Sequence, residues 1–139
     1  MLDGTIILVD DDKADQEIIK QVIYKTNIES KLIILNSGEE FLSFMETKHP
    51  HPNLILLDLN MPKISGREVL RKLTDQQIKD RIIIILTSSN NEDDINFCYS
   101  VGVKSFFTKP SDLNSYNKMV ENITNYWFDD NIKFPCNFV

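Results

Sequence analysis

The chain has 139 residues, the size of one domain, with 42% hydrophobic and 26% charged residues, enough apolar surface to bury a core without disulfides or a structural metal. A net charge of −6 argues against non-specific nucleic-acid binding, which needs a basic face. No apolar run has membrane length, Met1-Leu2-Asp3-Gly4 lacks the basic flank of a signal peptide, and Cys98 and Cys136 form no pattern, so a reduced, cytoplasmic protein with no membrane partner is expected.

Short apolar runs alternate with helical patterns along the chain. Thr5 to Val9 reads as the first strand, followed by a stripe of Ala14, Ile18, Ile19, Val22 and Ile23 that reads as the first helix. Lys31 to Leu35 is the second run. Ser37 with Glu40 then fits a capping box, in which each side chain satisfies an orphan backbone donor, ahead of a helix bearing Phe41, Leu42 and Met45. Leu54 to Leu57 is the third run. Ser65 with Glu68 starts a third helix bearing Val69, Leu70 and Leu73. Arg81 to Leu86 is the fourth run. Asn91 with Asp94 is a weaker start signal for a helix bearing Ile95, Cys98 and Tyr99, which Gly102 should stop in a left-handed turn. Ser105 to Thr108 is the weakest strand, and Leu113, Tyr116, Val120, Ile123 and Trp127 recur at helical spacing.

The first four runs are continuous rather than alternating, as strands covered on both faces are. Five strands alternating with five helices imply a doubly wound α/β fold with a parallel sheet and right-handed crossovers. The order 2-1-3-4-5 is the common arrangement of that class rather than a deduction from the spacing. One domain over residues 1–128 and an aromatic extension over 129–139 are expected.

Polar residues follow four of the five runs: Asp10, Asp11 and Asp12, then Asp58, then Thr87, Ser88 and Ser89, then Lys109. In a parallel sheet all of them share one edge, and ligands bind outside that edge where the strand order reverses, here between the first and third strands. Taken singly, each has a plain reading: Asp11 or Asp12 as a helix cap, Thr87 or Ser89 as a cap, Lys109 as a surface lysine. Together they do not. Carboxylates about 4 Å apart repel by about 4 kcal/mol per pair at an effective dielectric of about 20, and Lys109 is the only local cation. A divalent cation is therefore expected, and oxygen-only ligation suits Mg²⁺. A hard cation beside an aspartate and a lysine is a constellation for phosphoryl transfer, with the aspartate attacking phosphorus.

At these residues the sequence resembles a known family. Val9-Asp10-Asp11-Asp12, Leu57-Asp58-Leu59-Asn60-Met61-Pro62, Leu86-Thr87-Ser88 and Thr108-Lys109-Pro110 are similar to the receiver domains of two-component response regulators over roughly residues 4 to 128, and the spacings match as well. The resemblance implies that Asp58 accepts a phosphoryl group from a sensor histidine kinase and that the protein catalyses its own phosphotransfer and dephosphorylation. Asp10, Asp11 and the backbone carbonyl of Asn60 would join Asp58 in binding Mg²⁺. Thr87 would hydrogen-bond the phosphoryl group and Lys109 would pair with it. Phe106 falls at the rotating switch aromatic, where many relatives have Tyr. A cis bond at Lys109-Pro110 is also implied. Asn60-Met61-Pro62-Lys63, Gly66-Arg67-Glu68-Val69-Leu70, Asn91-Glu92-Asp93-Asp94-Ile95 and the tail Tyr126-Trp127-Phe128 with Pro135 look like the single-domain regulators that accompany bacterial phytochromes.

The signal is then expected to leave by protein–protein contact, to a downstream target or a second copy of the chain, through the fourth helix, fifth strand and fifth helix. A phosphoaspartyl hydrolase would carry its attacking Asp after the first strand, in Asp-x-Asp, with a cap domain. A flavodoxin-like cofactor binder shares the expected fold but needs a Ser/Thr/Gly-rich loop where this chain has three aspartates. His49-Pro50-His51-Pro52 reads as a surface loop rather than a metal clip. Trp127, Phe128, Phe134 and Phe138 either fold back on the domain or form a partner surface.

Overall fold

The computed structural model describes residues 4–26, 31–47 and 53–132. Five strands form one parallel sheet: β1 (Thr5–Val9), β2 (Lys31–Leu35), β3 (Leu54–Leu57), β4 (Ile82–Thr87) and β5 (Ser105–Thr108), in the order β2-β1-β3-β4-β5. Six helices connect and cover them: α1 (Lys13–Lys25), α2 (Gly38–Glu46), α3 (Gly66–Lys72), α4 (Asp75–Lys79), α5 (Glu92–Val101) and α6 (Leu113–Trp127).

The continuous apolar runs are explained by what covers each face of the sheet. Ile7, Val9, Ile55, Leu57, Ile83 and Ile85 point into one core with Phe41, Met45, Val69, Leu70, Ile78 and Cys98, from α2 to α5. Their neighbours Ile6, Leu8, Leu54, Leu56, Ile82, Ile84 and Leu86 point into the other, with Ile19, Val22 and Ile23 of α1 and Tyr116, Val120 and Ile123 of α6. A strand buried on both faces has no polar face to alternate with. That holds fully for β1, β3 and β4; β2 and β5, the edges, are half-buried. Burying each such Ile or Leu contributes about 1.5–3 kcal/mol, so the three central strands hold the carboxyl edge rigidly.

The helix starts follow the sequence signals. Ser37 accepts from the Glu40 N–H, Ser65 from the Glu68 N–H and Asn91 from the Asp93 N–H. The Glu40 carboxylate reaches one residue further back than a capping box requires, to the Asn36 N–H. Gly102 ends α5 with φ of 110°, the left-handed turn expected of it. The expected five helices need correction to six among the described residues. The short α4 holds one apolar residue, Ile78, too few to show a period. A capping box between Thr74 and Gln77 starts it, with the Gln77 side chain also donating to the Met45 carbonyl.

The expected cis bond at Lys109-Pro110 is also overturned: no peptide among the described residues is cis. The Lys109 N–H donates to the Thr87 carbonyl at 2.7 Å, continuing the β4–β5 pairing past Thr108 and delivering the lysine to the site on a trans backbone. Trp127 and Phe128 are half-buried against the α1–α6 core. His49, His51, Phe134, Pro135, Cys136 and Phe138 lie outside the described residues.

Candidate functional site

Asp10, Asp58 and Lys109 are each held by a ladder bond one step beyond their strands. The Asp10 N–H donates to the Leu35 carbonyl at 3.1 Å, and the Asp58 N–H to the Val9 carbonyl at 3.0 Å. Lys109 is held in the same way against Thr87. The side chains therefore emerge at one level from β1, β3 and β5.

Asp10, Asp11 and Asp58 converge so that one oxygen of each lies within 4.8 Å of the others. Asp10 and Asp58 are buried and Asp11 is exposed, leaving the cluster open to solvent on one side. The donor set is oxygen alone, which suits a hard divalent cation. Asp12, adjacent in sequence, turns away: its carboxylate accepts from the Ala14 and Asp15 N–H groups as the N-cap of α1.

Lys109 lies across the cluster. Its ammonium is 2.8 Å from Asp10, 2.7 Å from Asp15 and 3.3 Å from Asp58. Burial works against its charge, but the hydrogen bonds to Asp10 and Asp15, with the charge of Asp58, outweigh it and hold the ammonium above the ordinary lysine range. Burial dominates at Asp10 and raises its pKa to about 6; the bonds from Lys109 and from the Asp12 N–H only partly offset it, and Asp58 adds a little repulsion. A carboxylate strained in this way gains from a second cation, so the residues present fit a divalent metal.

Thr87 ends β4 and is fully buried; its hydroxyl oxygen accepts from the Asn60 side-chain amide at 3.3 Å, leaving its proton free for another acceptor. The Asn60 N–H donates to Asp58 at 3.1 Å. Phe106 is half-buried against the α2–α5 core, and its N–H donates to the Tyr99 hydroxyl of α5 at 3.1 Å. The structure thus brings Asp10, Asp11, Asp58, Asn60, Thr87 and Lys109 together, with Phe106 one strand away.

Two residues had no place in the sequence reading. Asp15 makes the shortest contact to Lys109. Gln16, buried on α1, donates to the Asp10 carbonyl at 2.6 Å and to Asn36 at 2.8 Å, tying the helix to the strand end. The available signal was position: both lie in the first turn of the helix that follows the acidic strand end. Gly66 also supports the site. A Cβ there would lie 2.6 Å from the Asp58 carbonyl oxygen and from the Leu59 Cα, so only glycine lets α3 start this close to the Asp58 backbone.

Comparison with known proteins gives the same picture. The model of the response regulator receiver domain matches residues 6–121. Response regulator Rcp1 of Synechocystis sp. is 39% identical over 130 residues, covering 89% of this chain and 88% of the relative. The crystal structure of the Mn²⁺-bound form of Rcp1 superposes with a TM-score of 0.83 at 37% identity, covering 96% of this chain and 99% of that one. The phosphorylated cyanobacterial phytochrome response regulator RcpA gives 0.84 at 31% identity, covering 93% and 96%. The narrower likeness to phytochrome-associated regulators, read first from the Asn60 and Asn91 segments, is thereby met. No helix among the described residues is long and apolar enough to cross a membrane. Because the likeness runs through the whole sheet and its carboxyl edge rather than one motif, the chain belongs to the response regulator receiver domain family.

Proposed function

We propose that Asp58 is the phosphoacceptor of a cytoplasmic signalling switch, with Mg²⁺ held by Asp10, Asp11, Asp58 and the Asn60 carbonyl. The observation that carries this is the meeting of Asp58 with two further carboxylates and one buried ammonium at the sheet's reversal point. An Asp58 carboxylate oxygen attacks the phosphorus of a phosphohistidine or small acyl phosphate. The new O–P bond forms as the donor's bond to phosphorus breaks, and the donor keeps that electron pair. Mg²⁺, when bound, neutralises phosphoryl oxygens and offsets the surplus of carboxylates. Lys109 pairs with the phosphoryl oxygens from its place 3.3 Å from Asp58, and the free Thr87 proton donates to one of them. The same residues favour hydrolysis of the acyl phosphate by water, which resets the switch.

The likeness to RcpA, described as a phytochrome response regulator, supports a phytochrome-type sensor kinase as the donor. Residues 129–139 form an extension beyond the receiver unit in this reading. The test is incubation with acetyl phosphate and Mg²⁺ followed by intact-mass measurement. The wild type gains one phosphoryl group and Asp58→Asn gains none. Undiminished labelling of Asp58→Asn would remove Asp58 from this role.

A further inference from the structure

Asp15 stands at the phosphoryl site without a part in the chemistry described above. It makes the shortest bond to the Lys109 ammonium, 2.7 Å, against 2.8 Å for Asp10 and 3.3 Å for Asp58. An ammonium has three protons, and the three carboxylates take one each. Two of these carboxylates have a second task, since Asp10 and Asp58 join Asp11 in the acidic cluster that fits a divalent metal. Asp15 is not in that cluster. Among the described residues it is the acceptor of Lys109 whose charge a bound metal does not take up.

The backbone of Asp15 is pinned. It lies in the first turn of α1, where its N–H donates to the Asp12 carboxylate at 3.1 Å and the helix dipole favours a negative side chain. One residue on, Gln16 fastens the helix to the Asp10 carbonyl and to Asn36. Lys109 has a flexible four-carbon stem instead, rooted at the far edge of the sheet, with β4 and β3 between its strand and β1. The Lys109 side chain is 9% exposed and that of Asp15 19%, so solvent screens the pair only weakly. A phosphoryl group on Asp58 brings a charge of about −1.5 to −2 on oxygens that project beyond the carboxylate. To bond them the ammonium must turn toward Asp58, the most distant of its three partners. With a metal holding Asp10, the pull against that turn comes from Asp15.

We propose that Asp15 is a positioning residue that competes with the phosphoryl group for Lys109, and so limits how tightly the phosphorylated state is held. This rests on Asp58 being the phosphoacceptor. Asp15 acts through Lys109 alone: it keeps the ammonium in place while Asp58 is free, and that hold is what the phosphoryl group has to overcome.

The variant Asp15→Asn keeps the shape of the side chain and removes its charge. Binding of beryllofluoride, a phosphoryl mimic, is measured by calorimetry at saturating Mg²⁺, beside urea unfolding of the unliganded protein. Asp15→Asn should bind beryllofluoride at least about 5-fold more tightly than the wild type, the low end of the range for two partners coupled through one group. In a Lys109→Met background the same change should bring no gain, because the lysine for which the two compete is gone. Unchanged or weaker binding by Asp15→Asn overturns the proposal, and weaker binding with a matching loss of stability in urea would show that Asp15 only supports the fold. A gain of equal size in the Lys109→Met background also overturns it, since Asp15 would then repel the anion directly. Failure of the wild type to label at Asp58 with acetyl phosphate overturns the phosphoacceptor reading itself, and is seen separately.

Discussion

At the scale of single residues, three consecutive aspartates do three different things because backbone direction differs at each. Asp10 is buried and anchored by the ladder, Asp11 reaches the cluster from solvent, and Asp12 caps α1. Asp11→Ala should therefore weaken Mg²⁺ binding strongly and Asp10→Ala clearly. Asp12→Ala should cost about 1 kcal/mol of stability in urea while leaving Mg²⁺ affinity nearly unchanged. Equal losses for all three in a fluorescence or calorimetric titration would mean that the metal pair is wrongly assigned. The raised Asp10 pKa gives this site a pH signature. An acid whose folded pKa is raised to about 6 from 3.8 binds its proton more readily folded than unfolded, so in the metal-free protein its ionisation opposes folding above about pH 6 and that opposition is relieved as the pH falls toward 3.8. Metal binding has the reverse demand, since the carboxylate must ionise. Mg²⁺ affinity should be flat above about pH 7 and fall as the pH drops through about 6. An affinity unchanged down to pH 5 would show that Asp10 does not carry the metal.

At the scale of elements, the loop from β3 to α3 is the point where packing and site are least separable. Gly66 N–H donates to the Leu59 carbonyl at 2.9 Å, and the space where its Cβ would stand is filled by the backbone of Asp58 and Leu59. Backbone atoms cannot rotate aside, so Gly66→Ala must push the Asp58 loop or tilt α3. It should cost about 1–3 kcal/mol of stability and slow acetyl-phosphate labelling of Asp58, although residue 66 touches no phosphoryl group. Full labelling with native stability would mean that the loop yields freely. The same scale shows what the sequence could and could not convey. β1, β3 and β4 were legible because two covered faces force unbroken apolar runs, and α1, α2, α3, α5 and α6 because each buries a stripe. α4 was not, since a five-residue helix with Ile78 alone has no period, though its Thr74-x-x-Gln77 cap was present. Asp58, Lys109 and Thr87 were legible as strand-end residues. Asp15 and Gln16 were not, because where a first-turn side chain points depends on how α1 lies across the sheet, and periodicity carries no such orientation. Tyr116 reads in the sequence both as part of an apolar stripe and as part of the expected partner face; packing of α6 buries its ring in the core shared with α1 and the sheet.

At the scale of the whole molecule, the proposed switch requires that one sheet edge change a surface some distance away. The sheet is close-packed on both faces, and packed cores shift between discrete arrangements rather than deforming smoothly. The elements free to respond are those tied to the edge residues and poorly buried themselves. Thr87 opens the loop into α5, and β5 is a half-buried edge strand next to it. The two are joined by the Tyr99 hydroxyl, which accepts the outward-facing Phe106 N–H that no strand among the described residues covers. On the loop itself, Ser89 donates to Asp94, and Asp94 pairs with Arg67, which stacks on Phe97. Movement of Thr87 toward a phosphoryl group therefore pulls on a segment whose other attachments are a few polar contacts rather than a core. In the proposed switch it should also open space for the Phe106 ring to turn inward. The ring at position 106 is Phe, and a phenol sits beside it on α5 as Tyr99. The surface that changes should be α5, β5 and α6, including the exposed Tyr99, and this face should hold the contact with a target protein or a second copy of the chain. A preference of about 1–3 kcal/mol for the phosphorylated form would shift that contact by roughly 5–150-fold. Hydrogen exchange or NMR shift mapping with and without beryllofluoride tests this. Changes outside the site should fall on α5, β5 and α6, with Phe106 N–H exchange altered and more so in Tyr99→Phe. Changes confined to α1 and α2 would remove this face as the output. A dimer of equal affinity with and without beryllofluoride would mean that dimerisation is structural, and that the switch is read by a different contact.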